Sequence, residues 1–96
     1  MAAGDIYQVG VAATAQNAYL VLQPGAGTEI VVHNIVHSTD ATLEWYDGST
    51  AIAVDSQTGA GAWVGEFFHC SNSKYYRVKN TNAASNNLAA DGMYSK

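Results

Sequence analysis

Short β-prone segments recur along this chain with turn signals between them, and this spacing constrains the fold more than any other feature. The longest segment, residues 28–37, carries apolar residues on both faces through its middle, which is typical of a strand in the centre of a sandwich or at an interface. Asp47-Gly48 is a strong hairpin signal between residues 42–46 and 50–55. About eight such segments at roughly 8–12-residue spacing, with no sustained helical periodicity, predict an all-β antiparallel sandwich of jelly-roll-like organisation.

Chain length and cysteine content limit how such a sandwich can be stabilised. The 96 residues predict a single β-sandwich domain over 1–96. A chain of this size buries roughly 60–65% of the surface that it exposes when unfolded, so its core is thin. Cys70 is the only cysteine, which excludes an intramolecular disulfide and a paired-cysteine zinc site. We therefore expect support from self-association.

Charged residues make up only 12% of the chain, and they are unevenly distributed. The net charge of −4 argues against general nucleic-acid binding. Residues 1–66 carry seven acidic residues and no Lys or Arg, whereas residues 67–96 carry four basic residues against Asp91. A surface poor in charge suits contact with other protein, and an acidic and a basic patch favour head-to-tail contacts between copies. The alternative is a monomer with a neutral polar surface.

The amino-terminal residues predict neither a secretory signal nor a membrane anchor. No basic stretch precedes an apolar core, and the apolar runs are far shorter than a membrane span. We expect a protein that stays in a reducing cytoplasm or is assembled there into something larger.

Aromatic and basic residues concentrate in residues 63–80, which the pattern predicts to be a β-hairpin with its turn at 71–74. Side chains alternate along a strand, so Tyr76 and Val78 are expected in the core, with Tyr75, Arg77 and Lys79 facing outward. Arg and Tyr are enriched at protein interfaces. A solvated face, or stacking against nucleic acid or sugar, are the alternatives. The predicted interface residues are Tyr75, Arg77, Lys79, Lys74 and Glu44.

No group of residues predicts a reaction, a cofactor or a metal site. His33 and His37 should share a face with Ile35 between them, at a separation of roughly 13 Å that is too long for one metal ion. His69 and Cys70 are neighbours on a strand and must point to opposite faces, so they cannot form a nucleophile–base pair. The carboxylates of the 42–55 hairpin are read as solvated, and the Gly-x-Gly patterns lack a phosphate-binding context. We expect a protein that is not an enzyme.

Several segments together resemble a known group of proteins. They are LQP at 22–24, TEIVVHNI at 28–35, GAW at 61–63 and FFHCSNSKYYRVKN at 67–80. This combination is similar to that of small virion proteins of tailed bacteriophages, some of which serve as capsid decoration, or cement, proteins. The resemblance covers most of residues 18–81 and carries over no active site.

The resemblance implies a structural role in a virion assembled in the host cytoplasm. The expected partners are the chain itself, as a homotrimer, and the major capsid protein, with no membrane and no direct nucleic-acid contact. The expected function is to stabilise the head by binding across capsomer junctions. One alternative is a tail, neck or fibre-associated subunit. Another, from a different class, is a small carbohydrate-binding sandwich that stacks sugars on Trp45, Trp63 or Tyr75.

Overall fold

The computed structural model of the protein describes residues 2–96 as two antiparallel β-sheets, which confirms the predicted all-β sandwich-like class. Within those residues nine strands form, one more than expected. In chain order they are β1 (Ile6–Thr14), β2 (Tyr19–Leu22), β3 (Glu29–His37), β4 (Ala41–Tyr46), β5 (Ala51–Gln57), β6 (Gly61–Trp63), β7 (Phe68–Ser71), β8 (Tyr75–Asn80) and β9 (Asn86–Tyr94).

The two sheets divide the strands unequally. Sheet A runs β1-β9-β3, and the short strands β6 and β7 both pair with the far side of β3, one at each end. Sheet B runs β2-β8-β4-β5. The segment 28–37, predicted to be central, is therefore the strand with the most partners.

The core lies between the inward faces of the two sheets. Sheet A contributes side chains that are at most 2% exposed from β3 and β9, and sheet B contributes equally buried ones from β2, β4 and β8. Full burial of each large aliphatic side chain stabilises the fold by about 1.5–3 kcal/mol. The members are Leu20, Leu22, Ile30, Val32, Ile35, Leu43, Val78 and Leu88.

The Asp47-Gly48 hairpin is confirmed, and it joins β4 to β5. The Asp47 carboxylate accepts hydrogen bonds from the backbone N–H groups of Ser49 at 3.0 Å and Thr50 at 2.7 Å. Gly48 has a φ of +93°, a conformation that L side chains rarely adopt. The pairing of β4 with β5 therefore follows from the side-chain hydrogen bonds and the glycine of the turn between them.

The predicted hairpin over residues 63–80 is wrong, because its two arms belong to different sheets. β6 and β7 pair with β3 in sheet A, whereas β8 lies between β2 and β4 in sheet B. The Ser71 N–H donates to the Lys74 carbonyl at 2.8 Å, so a tight turn does form there. That turn carries the chain from one sheet to the other, and the rings of Phe68 and Tyr76 then meet across the core with centroids 4.9 Å apart. Side chains alternate in the same way whether the turn joins two strands of one sheet or passes the chain to the other sheet, so the sequence pattern fits both arrangements.

The prediction that His33 and His37 share a face is also wrong. The pairing of β3 with β9 shifts register between Val32 and Asn34, and this β-bulge changes which residues point inward. His37 points into the sandwich and is 4% exposed, whereas His33 lies on the outer side against Phe67.

The carboxy-terminal strand β9 lies between β1 and β3, at the centre of sheet A. Its glycine makes this position possible, because a Cβ on Gly92 would come within 2.8 Å of the Cα of Val32. Only a residue without a side chain allows the two backbones to approach so closely.

Candidate protein-interaction surfaces

Four of the five predicted interface residues lie together on the outer face of sheet B. β8 places Tyr75, Arg77 and Lys79 on that side, opposite the buried Val78, and β4 adds Glu44 through its register with Arg77. Lys74 lies in the adjoining turn at the end of the sheet. We call the set Tyr19, Glu44, Tyr46, Tyr75, Arg77 and Lys79 the arginine face.

Arg77 is the centre of the arginine face, and its side chain is committed within the chain. Its guanidinium carbon lies over the rings of Tyr19 and Tyr46, 4.0 Å from the first ring centroid and 3.8 Å from the second. Its Nε donates to Glu44 Oε1 at 2.9 Å, and the Arg77 and Glu44 side chains are only 16% and 14% exposed. The arginine therefore ties β2, β8 and β4 together across their outer surface.

Tyr75 is less available to a partner than the alternation pattern predicts. It is only 9% exposed, and its ring packs edge-on against Tyr46 with centroids 5.8 Å apart. Of the predicted interface residues, Lys79 and Lys74 are left as the more accessible cations, half-buried and exposed respectively. Tyr75, Arg77 and Glu44 therefore make packing contacts within the chain, and their role at an interface stays a prediction.

A second surface, on the outer side of sheet A, was not singled out by the sequence. Towards one end Met93 pairs with Ile6 on one side and Val31 on the other, and towards the other end Ala89 pairs with Val36. Exposure is 71% for Ile6, 47% for Val36 and 44% for Met93. Phe67, in the loop before β7, adds a ring that is 72% exposed. We call Ile6, Val31, Val36, Phe67, Ala89 and Met93 the apolar face.

Charge is sparse on the strands that form the apolar face. Asp91 lies in its middle, where its Oδ1 accepts a hydrogen bond from the Asn34 side-chain amide at 2.8 Å. Glu29 lies at the end of β3, where the chain terminus folds back against it. The sequence signal for this surface was the apolar character of both faces of residues 28–37, which indicated either a central strand or an interface. β3 is a central strand, and its outward residues also form part of this surface.

One end of the apolar face forms an open depression bounded by Val31, Phe67 and Met93. His33 borders it with a fixed orientation, because its Nδ1 lies 2.8 Å from the Glu66 carbonyl oxygen and must donate to it. The Phe67 ring meets the His33 ring edge-on at 5.3 Å. The most exposed aromatic residue of the face is thus held by a neighbour while most of its ring stays open to solvent.

His69 and Cys70 do point to opposite faces, as predicted. His69 is exposed on the outer side, and Cys70 is 2% exposed in the core. Burial raises the pKa of the Cys70 thiol to about 11, so it stays protonated at neutral pH. Because only the thiolate is a strong nucleophile, Cys70 acts as a small buried apolar residue.

The three aromatic residues proposed as sugar platforms do not form one. Trp63 is 6% exposed, and its indole N–H donates to Asp55 Oδ2 at 2.8 Å. Tyr75 is covered as described above, which leaves Trp45 partly exposed. Stacking on a sugar requires an accessible ring face, so this arrangement gives the carbohydrate alternative little support.

Two further findings concern residues 2–96. Within that range, His, Cys, Asp and Glu side chains form no group of three or more that could hold a metal ion. The same residues include no helix long and apolar enough to cross a membrane.

Comparison of the chain with protein-family models and with curated proteins finds no match. The surfaces themselves therefore have to support any functional assignment. They differ in kind, since the apolar face is open and poor in charge, whereas the arginine face has its main charge paired and stacked.

Proposed function

We propose that this chain is a non-enzymatic virion protein that decorates a bacteriophage capsid and stabilises it by binding across capsomer junctions. The observation that carries the proposal is the apolar face, a largely uncharged sheet surface with several large side chains open to solvent. The polar row of Gln8, Asp91 and Asn34 divides this face into two apolar patches, and exposed apolar patches on a small protein mark places where another protein binds. The resemblance of residues 18–81 to small phage virion proteins supplies the kind of partner.

The two outer faces give the body the asymmetry that a decoration protein needs. The apolar face is suited to seating on a protein lattice, because interface cores are depleted in charge. The arginine face presents tyrosine rings, a neutralised ion pair and Lys79, and it suits the side that remains in water. In this arrangement the major capsid protein meets sheet A.

The size of the surface is sufficient for a specific contact. A standard interface buries about 800 Å² on each partner. The chain exposes 4962 Å² in total, so such an interface would use about one sixth of its surface. One broad face of the sandwich can supply this area. Bound across a junction, it would link neighbouring capsomers and oppose their separation.

Copy number in purified particles tests the proposal. Quantitative mass spectrometry of virions from a phage that encodes the chain should find it at a level near that of the major capsid protein, on the order of hundreds of copies under closed capsid symmetry. Absence from the particle, or only a few copies, contradicts the decoration role. A count of six or twelve assigns the chain to the neck or tail instead.

Variants of the two faces locate the contact. Met93→Asp and Phe67→Asp place a carboxylate on the apolar face, and each should reduce retention on capsids that lack the protein. Val21→Asp is the matched control, since Val21 is 44% exposed on the outer side of sheet B. Loss of binding by the control alone would reverse the proposed orientation.

Self-association is a separate part of the proposal. The sequence predicted three copies in contact with one another. Sedimentation of the purified chain measures the number of copies in the assembly directly. The strands at the edges of the two sheets are the surfaces through which copies of the chain could pair.

A further inference from the structure

β1 is an unusually open edge strand. It lies at the end of sheet A, where β9 is its only sheet partner among residues 2–96; it is nine residues long and pairs regularly from Ile6 to Val11, before an irregularity between Val11 and Thr14. It contains no charged residue and no proline, and Gln8 and the carboxy-terminal Thr14 are its only residues with hydrogen-bonding side chains besides Tyr7. Soluble proteins usually blunt such an edge with charge, proline or a very short strand, because its free N–H and C=O groups can template pairing with another chain.

The other sheet edges are blunted in these ways. β2 is only four residues long, and β6 and β7 are three and four residues long with Glu66 in the loop between them. β5 carries Asp55, and its pairing with β4 shifts register next to that residue. Among the edges of the described residues, β1 alone is both long and uncharged.

Gly10 is a second, independent observation at the same edge. A glycine inside a strand weakens it, at a cost of about 0.5–1 kcal/mol relative to alanine. Nothing within the chain requires one here, because its φ lies outside the left-handed region and a Cβ would meet its nearest neighbours, Ala89 Cβ and Leu88 O, at an ordinary 3.6 Å. A glycine in a strand often marks the close approach of something else.

The hydrogen bonds at the start of β1 indicate which backbone groups are free. The backbone N–H of Tyr94 donates to the Asp5 carbonyl at 2.8 Å, and the backbone carbonyl of Tyr94 accepts from the Gly4 N–H at 2.7 Å. Antiparallel pairing alternates residue by residue, so Tyr7 and Val9 direct their groups towards β9. Ile6, Gln8 and Gly10 therefore direct their N–H and C=O groups away from the sheet.

We propose that β1 pairs antiparallel with β1 of a second copy, about a two-fold axis at Gln8, to make one sheet that spans both chains. In this register Gln8 lies opposite Gln8 of the second copy, and Ile6 lies opposite Gly10. The bulky side chain then has a glycine across from it, which accounts for Gly10. Each of these pairs exchanges both backbone hydrogen bonds.

This edge keeps the charge repulsion between two copies low. Each chain carries a net charge of −4, so two copies repel wherever acidic residues approach one another. β1 itself brings no charge to the contact, and Asp91, which pairs with Gln8 from β9, lies three strand spacings, about 14 Å, from the Asp91 of the second copy. Asp5, which precedes it, would lie opposite Val11 of the second copy, about 20 Å along the strand from the other Asp5. The same symmetry makes the contact closed, and two copies complete it.

This two-fold contact differs from the trimer that the sequence predicted, and it does not depend on the proposed capsid role. It is tested on the purified chain without any particle. A protein that dimerises through β1 but is absent from virions refutes the capsid role alone, and a decoration protein that is monomeric in solution refutes this inference alone.

Analytical ultracentrifugation of the full chain, with charge variants at the two-fold axis, is the first test. Gln8→Lys and Gln8→Glu each place like charges opposite one another, so each should weaken the dimer by about a hundredfold or more. An equimolar mixture of the two variants should restore it as a heterodimer. Ile52→Lys is the matched control, since Ile52 is 54% exposed on the other long edge strand, β5, and it should leave the dimer intact.

Three results overturn the inference. They are a wild-type chain that is monomeric or trimeric at all concentrations, a dimer that neither Gln8 variant weakens, and a dimer that Ile52→Lys dissociates. Circular dichroism and melting of each variant show whether it is folded.

Cross-linking provides a readout that does not depend on weakening the contact. Gln8→Cys puts two thiols opposite each other at an expected Cα separation of about 5.5 Å, within the range that a disulfide bridges. Cys70 is buried and protonated, so it does not compete. Mild oxidation should give a covalent dimer of Gln8→Cys much faster than of Ile52→Cys. Equal rates for the two variants would refute pairing through β1.

Discussion

The arginine face makes a sharp prediction about stability, because Arg77, a predicted interface residue, contacts side chains from two neighbouring strands. We expect Arg77→Ala to destabilise the fold strongly. The substitution removes both stacking contacts with Tyr19 and Tyr46 and the hydrogen-bonded ion pair with Glu44. It also removes the cation that pairs with Glu44, whose side chain is only 14% exposed in the folded protein.

The magnitude follows from these contacts. Each cation–π contact contributes about 0.5–1 kcal/mol at a partly exposed site. A hydrogen bond between charged groups contributes about 1.5–3 kcal/mol, and partial exposure places this one near the lower end. The free energy of unfolding should therefore fall by roughly 3 kcal/mol, which for a domain of this size lowers Tm by about 12–20 °C. Arg77→Lys keeps the charge but loses the planar stack, so it should cost about half as much.

Urea unfolding followed by tryptophan fluorescence measures this effect. Lys79→Ala is the control, because Lys79 is on the same strand and face, and a substitution away from such contacts changes stability by about 0.5 kcal/mol or less. A double-mutant cycle with Glu44→Ala isolates the ion pair. Equal destabilisation by Arg77→Ala and Lys79→Ala would contradict the conclusion that the contacts of Arg77 with Tyr19, Tyr46 and Glu44 stabilise sheet B.

Three further predictions concern the interior. Gly92→Ala should prevent soluble folding or lower Tm by more than about 10 °C, since its Cβ would press on the β3 backbone, and a thermal melt close to that of the wild type would contradict this close approach. Asn86→Asp should lower the free energy of unfolding, measured in urea, by roughly 3 kcal/mol, because the Asn86 amide donates to the carbonyls of Thr39 and Asp40 and a carboxylate cannot donate. Asn87→Asp is the control and should leave this free energy nearly unchanged, because the Asn87 side chain only accepts a hydrogen bond. Cys70 should resist a thiol reagent at pH 8 until the protein unfolds, and rapid labelling of the native chain would contradict its burial. Its contribution to the free energy of unfolding should be lost as pH rises from about 9 through about 11, because the thiol ionises first in the unfolded chain, where its pKa is lower.

The sequence predicted the fold class because the relevant signals are local. Alternation and turn residues mark individual strands, and Asp47-Gly48 fixed one pairing outright. Sheet membership is set instead by contacts between distant parts of the chain. The turn at 71–74 can close a hairpin or a corner, and the choice depended on β3 and β2, which each took one of the two segments as a partner.

The interaction surfaces were predictable only in part, for the same reason. Alternation correctly placed Arg77 on the outer side of β8, opposite Val78. It could not show that the rings of Tyr19 and Tyr46 would both contact the guanidinium, since both come from other strands. The bulge in β3 reversed the relation between His33 and His37, and a shift of one residue leaves no signature in the pattern.

The apolar face required the sheet order before it could be recognised. Ile6, Val31 and Met93 come from three distant segments, and they become neighbours only because β9 lies between β1 and β3. Each residue alone is an ordinary exposed apolar side chain, which carries no meaning by itself. Their alignment on one face is the feature that supports a protein partner.

Cryo-electron microscopy of the purified particle tests the proposed function most directly. The capsid role predicts density for this chain over the boundaries between capsomers, with Met93 and Phe67 against the major capsid protein and Arg77 towards solvent. A head whose capsomer junctions carry no such density, or density with the arginine face against the lattice, would contradict it.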